Sequence, residues 1–165
     1  MHHKLIKLYT YNWWANTRIL DAIESLSEDE LETDLGGSFA SIYQTINHIF
    51  RVEWLFLRRW KGLSTDTPFS MKKKETLRKS WEELEQERKT YFQELDEHAL
   101  DGTLQYCDTK GQLIIVTLWQ AIFQCLNHST FHRGQIISKF RQIGKVPPST
   151  DFITYCRESE NREQP

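Results

Sequence analysis

The feature that most constrains the fold lies near the C-terminus. Leu118, Ile122, Cys125, His128, His132, Ile136, Phe140 and Ile143 follow one another at steps of three or four residues. That period belongs to a helix with one face in a core. Two histidines occupy core positions of the stripe, four residues apart, and so lie on one face a turn apart. Imidazoles in a bundle core are costly unless their nitrogens find partners. A metal ion is one such partner and buried hydrogen bonds are the other. A third histidine, His48, falls on another helix that reads as buried and can complete a metal site.

The same period runs through most of the chain. A first helix is expected from Lys4 to about Ser25, with Leu8, Asn12, Ala15, Ile19, Ala22 and Ile23 on or near one side. Ser27, with Glu30 three residues on, reads as a capping box for a short helical turn. Gly36-Gly37 breaks the chain, and a second helix follows from about Ser41 to Trp60, apolar on much of its circumference and hence buried on several sides. A loop is expected from Gly62 to Pro68. The third helix, from Lys74 or Glu75 to Glu97, has a single stripe of Leu77, Trp81, Leu84, Tyr91, Phe92 and Leu95 against many charges. Two β-prone runs, 103–108 and 112–116, flank a glycine-containing turn at Thr109-Lys110-Gly111 and predict a small hairpin. The last long helix spans Thr117 to Ile143, with Gly144 as its cap and Pro147-Pro148 preventing continuation. Gly134 inside it suggests close approach of another helix, and Asp151 starts a short helix reaching Tyr155 or Cys156. The expected fold is therefore all-α, a four-helix bundle with a small β-hairpin before the last long helix. No repeat or linker divides the chain. One domain is expected over residues 1–157, followed by a polar, frayed tail over 158–165.

Composition narrows the function classes. The 165 residues are 39% hydrophobic and 27% charged, as in a soluble globular domain. No apolar run is long enough to span a membrane, and Met1-His2-His3-Lys4-Leu5 lacks the layout of a signal peptide. A formal charge of −2 gives no electrostatic case for nucleic acid or an anionic membrane, and Lys72-Lys73-Lys74 reads as a solvated helix start. Cys107, Cys125 and Cys156 are odd in number and show no CxxC spacing. They argue against a disulfide framework and for a reducing, cytoplasmic setting. Cys125, on the core stripe, reads as a small buried hydrophobe.

Three neutral imidazoles suit Zn²⁺, Ni²⁺, Fe²⁺ or Cu²⁺. With three protein ligands at least one coordination position stays open for water or substrate, as in catalytic sites. No Asp or Glu stands three or four residues from a histidine of the set, which disfavours metal-dependent hydrolysis.

These residues carry a resemblance. His48, the segment Asn127-His128-Ser129-Thr130-Phe131-His132-Arg133-Gly134-Gln135-Ile136, the start Tyr11-Asn12-Trp13-Trp14-Ala15-Asn16, and the end Gly144-Lys145-Val146-Pro147-Pro148-Ser149-Thr150-Asp151-Phe152 together resemble the DinB family (DinB/YfiT-like metal-binding bundles). The likeness spans the chain to about Tyr155, and the HxxxHRGQ segment is its most specific part. It implies an up-down-down-up bundle, often a homodimer, with a divalent metal held by residues mapping to His48, His128 and His132. Zinc or nickel is the foremost candidate, with iron or manganese next. It also implies a thiol transferase using a low-molecular-weight thiol such as bacillithiol on an electrophilic small molecule. The alternatives are a non-catalytic, metal-stabilised bundle acting in stress response and a metal-dependent hydrolase. Gln135, Gln44 and Arg51 stand at helical spacing from the histidines and are candidates to orient a ligand or substrate. Ordinary hydrogen bonding is the plainer role for each. Arg133, about 100° round the helix from His132, is expected to meet another helix or a partner subunit.

Overall fold

The computed structural model describes residues 2–65, 70, 72–108 and 110–162. Its helices are α1 (His2–Glu24), α2 (Glu28–Glu32), α3 (Ile42–Trp60), α4 (Lys74–Glu94), α5 (Leu118–Gln142) and α6 (Phe152–Arg162). A 3-10 turn, Glu97–Asp101, and a hairpin of β1 (Thr103–Cys107) and β2 (Leu113–Thr117) lie between α4 and α5. The protein is thus mostly helical with one small two-stranded antiparallel sheet. Parts of the expected loop at Gly62–Pro68 and Thr109 of the hairpin turn lie outside the described residues.

Local chemistry explains the helix ends. The Ser27 hydroxyl accepts from Glu30 N, and the Glu30 carboxylate accepts from Ser27 N, closing the expected capping box of α2. Ser41 caps α3 by accepting from Gln44 N. Gly144, at φ 74°, lets Lys145 N return to Phe140 O at 2.9 Å and ends α5 as expected. Two ends differ from the expectation. α4 stops at Glu94 because Asp96 caps a separate 3-10 turn through His98 N, at 2.9 Å. α6 continues through Glu158 to Arg162 instead of stopping near Tyr155. Glu158 accepts from Trp14 Nε1 and Arg18, both at 3.0 Å, and ties this turn to α1.

The core sits between the four long helices. Ile19 and Ile23 of α1, Ile46, Ile49 and Leu57 of α3, Trp81 of α4, and Ile122, Ile136 and Phe140 of α5 are all buried. Aromatic rings close one part of it, where Tyr9, Trp60 and Phe92 meet with centroids 4.8 to 6.1 Å apart. The hairpin pairs Leu104 with Val116 and Tyr106 with Ile114 on its inner face. The Arg59 guanidinium lies 4.1 Å from the Tyr106 ring centre and donates to Cys107 O, fastening the hairpin to α3. The described cysteines are all free, with Cys125 buried and Cys107 exposed. Among the described residues no helix is long and apolar enough to cross a membrane.

The packing of α3 on α5 positions the site. Lys139, near the end of α5, reaches Gly36 and Ala40 ahead of α3, while Ser129, further back on α5, reaches Glu53 further along α3. His48 of α3 therefore lies opposite the middle of α5.

Candidate metal centre

His48 projects from α3 toward His128 and His132, which stand on successive turns of α5. The ligand-capable nitrogens of the three side chains all lie within 4.8 Å of one another. Ring centroids are 4.8 Å apart for His48 and His128, 4.5 Å for His48 and His132, and 4.4 Å for His128 and His132. His132 is buried and the other two are half-buried. His2, His3 and His98 stay outside the cluster.

Electrostatics keep two of the rings neutral. Burial pushes His48 down to about 4, with His128, His132 and Arg51 adding to the shift. Burial and the neighbouring His132 push His128 to about 4 as well, against a weaker opposing pull from Glu53. At neutral pH both imidazoles therefore offer lone pairs, the state that binds a metal.

Nε2 of His48 and Nε2 of His128 approach to 2.9 Å. Two neutral rings meet this way over one shared proton or one shared ion. Tetrahedral zinc, with Zn–N about 2.0–2.1 Å, separates its ligand nitrogens by roughly 3.3 Å. The three-nitrogen donor set suits such an ion, which would spread the His48 and His128 nitrogens by roughly 0.4 Å from their 2.9 Å contact.

Each ring is held differently. The Gln135 amide oxygen is 2.8 Å from His132 Nδ1, which places the proton on Nδ1 and leaves Nε2 free as a ligand. Phe39 stacks on His48 with centroids 4.0 Å apart and turns toward His132 at 5.5 Å. The Phe39 loop is fixed by buried Lys139, whose Nζ donates to Gly36 O at 2.7 Å and Ala40 O at 3.1 Å. His128 has no comparable support: its Nδ1 is buried and has no hydrogen-bond partner among the described residues. A cavity of about 470 Å³ opens beside His48, lined by Phe39, Tyr43, Gln44, Asn47 and Arg51 and also by Glu32 and Ser41.

Of the residues expected to orient ligands, Gln135 does contact one. Gln44 instead accepts from Ala40 N at 3.1 Å and lines the cavity, as does Arg51. Arg133 meets another helix, donating to Asn12 and Asn16 of α1. Gly134 does not mediate close helix approach: it is exposed, and a Cβ there would meet nothing within 4 Å.

A buried polar network beside the histidines has no counterpart in the sequence reading. Glu53 is 1% exposed. Its Oε1 accepts from Asn12 Nδ2 and Asn16 Nδ2, both at 2.9 Å, and from Ser129 Oγ at 2.7 Å. Its Oε2 pairs with Arg88, which also binds Glu85. Burial alone would raise the Glu53 carboxyl, but Arg88 and the donors Asn12 and Ser129 outweigh it and hold the group below the usual carboxylate range. The signal was polar residues at apolar positions of the period. Glu53 sits between Ile49 and Phe56, Arg88 between Leu84 and Phe92, and Ser129 between Cys125 and Ile136.

Comparison with known proteins identifies relatives of the chain. The chain is 29% identical over 158 residues to Protein DinB of Bacillus subtilis (strain 168), covering 90% of this chain and 91% of that one. It shares its fold with a DinB-like protein from Bacillus cereus ATCC 10987 solved by crystallography, at a TM-score of 0.67 and 18% identity, covering 88% of this chain and 94% of that one. The model of the DinB family matches residues 1–163, and the chain belongs to that family.

Proposed function

We propose that His48, His128 and His132 bind one divalent metal ion, zinc or nickel foremost, and that the protein is a metal-dependent thiol transferase. The observation that carries this reading is three imidazoles with ligand atoms within 4.8 Å of one another beside a cavity of about 470 Å³. A bound divalent ion supplies Lewis acidity, which lowers the pKa of a thiol at its open position. His132 is kept in the ligating tautomer by Gln135, and Phe39 shields the His48 ring from water on one side. The cavity offers Phe39 and Tyr43 to the apolar part of an electrophile, and Gln44, Asn47 and Arg51 to polar groups. In the reaction the thiol proton would pass to solvent, the sulfur would bond the electrophilic carbon, and the bond from that carbon to the leaving group would break, its electron pair departing with the leaving group.

The same reading takes α1, α3, α4 and α5 as one up-down-down-up bundle and residues 1–157 as one domain. Contacts of Phe50 with Trp81, Glu53 with Arg88 and Trp60 with Phe92 advance together along the two helices and support α3 and α4 running in the same sense. A homodimer is part of the proposal, and exposed Phe123 and Phe131 on α5 supply apolar surface for it.

Metal content of purified protein is the first test. About one ion per chain, lost in His128→Ala, is expected, and no metal in the wild type under zinc, nickel, iron and manganese supply sinks the site. Thiol consumption with model electrophiles tests the transfer. Silence with bacillithiol-type and simpler thiols, in protein that does hold metal, removes the transferase. Phe39 covering His48 favours one second reading, a non-catalytic metal-stabilised bundle. That reading predicts a large fall in Tm with chelator and no thiol consumption. Hydrolysis needs a free carboxylate near the ion, and Glu53 is fully engaged, so that reading would have to use Glu32 at the cavity.

A further inference from the structure

We propose that Glu53 is a positioning residue for the three-histidine site, holding α5 against α3 through Ser129 so that His128 faces His48. The proposal rests on the metal reading above and adds to it what sets the geometry of the ligands.

The argument starts from His128. Gln135 holds His132 and Phe39 covers His48, but the buried Nδ1 of His128 is bonded to nothing among the described residues. Apart from the contact of its Nε2 with His48, the direction of its ring is therefore set by where the α5 backbone lies. The backbone is fixed at the next residue, since Ser129 is fully buried and its hydroxyl donates to Glu53 Oε1 at 2.7 Å. One turn later the pattern repeats. Arg133 follows His132, is 1% exposed, and donates to Oδ1 of Asn12 and Asn16, the same amides whose Nδ2 atoms bind Glu53. Each α5 histidine is thus followed directly by a residue of the Glu53 network. Neighbours in a helix point about 100° apart, so one strip of α5 presents ligands while the adjoining strip is anchored.

One carboxylate gathers all four long helices. Asn12 and Asn16 come from α1, Glu53 from α3, Arg88 from α4 and Ser129 from α5. Burying such a group is no efficient route to stability, because desolvation offsets most of the attraction. What directional bonds add is register. An apolar seam tolerates sliding, whereas each metal–ligand bond length is fixed to within about 0.2 Å. Three donors converging on Glu53 Oε1 oppose the slide where α3 and α5 bring Nε2 of His48 and of His128 together.

The test compares Glu53→Gln and Ser129→Ala with Leu77→Ala, a core truncation on α4 outside the network. Zinc affinity is measured by chelator competition, and the visible spectrum of the Co²⁺-loaded protein reports ligand geometry, both at a temperature where circular dichroism shows every variant folded. Glu53→Gln and Ser129→Ala are expected to weaken zinc by about tenfold or more and to shift the Co²⁺ bands. Leu77→Ala is expected to lower Tm and leave both readouts at wild-type values. Wild-type affinity and spectrum in folded Glu53→Gln overturn the proposal. If Glu53→Gln does not fold, the same result in Ser129→Ala does so. Should the wild type take up no metal, the metal reading fails separately. The imidazole ¹⁵N resonances of the metal-free protein then decide: displaced His48 and His128 signals in Ser129→Ala, with Leu77→Ala unchanged, support positioning, and unchanged signals overturn it.

Discussion

Arg88 is a buried guanidinium between two carboxylates, Glu53 and Glu85. Replacing it with Met leaves Glu53 buried without a counter-charge and Glu85 with only Lys89, at 3.9 Å. The expected cost is about 3–5 kcal/mol, read from the urea midpoint. Arg78→Met, which breaks pairs to the exposed Asp21 and Glu24, is the contrast and should cost no more than about 1 kcal/mol. Equal losses would contradict the assignment of Arg88 as the buried counter-charge. Arg88 also marks where sequence reading ends at this scale. His128 and His132 were legible because two imidazoles on an otherwise apolar stripe break the pattern visibly. Arg88 fills a gap in the apolar stripe of α4 between Leu84 and Phe92, but on so charged a helix that gap alone does not identify a buried ion pair. Its burial depends on Glu53, which is 35 positions away, and periodicity within one helix does not report a partner on another.

At the scale of elements, the C-terminal helix shows what local signals miss. Phe152 and Tyr155 pack on Tyr11 and Trp14 of α1, with centroids 5.1 Å apart for Tyr11–Phe152 and 5.6 Å for Trp14–Tyr155. Glu158 then ties the next turn to Trp14 and Arg18. The start at Asp151 was readable as a cap, but the continuation to Arg162 rests on contacts with a helix at the other end of the chain. Packing should dominate over charge here. Tyr155→Ala is expected to lower stability by about 2 kcal/mol or more, given the aromatic surface it removes. Glu158→Gln breaks a pair whose side chains are 35% and 36% exposed, and should cost less than about 1 kcal/mol. Thermal denaturation of the two variants checks the order, and a larger loss in Glu158→Gln would show that the ion pair docks α6. The hairpin and the α2 capping box were legible for the opposite reason, since each is closed by residues only a few positions apart.

For the molecule as a whole, the histidine cluster links stability to pH. His48 and His128 titrate near 4 in the metal-free fold and near 6.5 when unfolded. Between those values the unfolded chain binds more protons. Their contribution to stability is therefore complete above about pH 6.5 and is lost as pH falls toward 4. Urea midpoints of metal-free protein at pH 7 and pH 5 should differ in that direction, and His48→Gln/His128→Gln protein should show a smaller difference. An equal or larger difference in the double variant would place the pH response elsewhere. The mostly helical fold with its small hairpin was accessible from sequence because the helical period runs through most of the chain, and the family because His48 and the HxxxHRGQ segment stand together. The cover over His48 was not, since nothing in the Gly36–Ala40 segment announces that Lys139 will grip its carbonyls. That grip has a mechanical consequence. Lys139 lies about two turns beyond His132 on the same helix, so α5 carries both a pair of donors and the clasp of the flap above them. A displacement of α5 along its axis would transport His128, His132 and the flap together, while His48 stayed with α3.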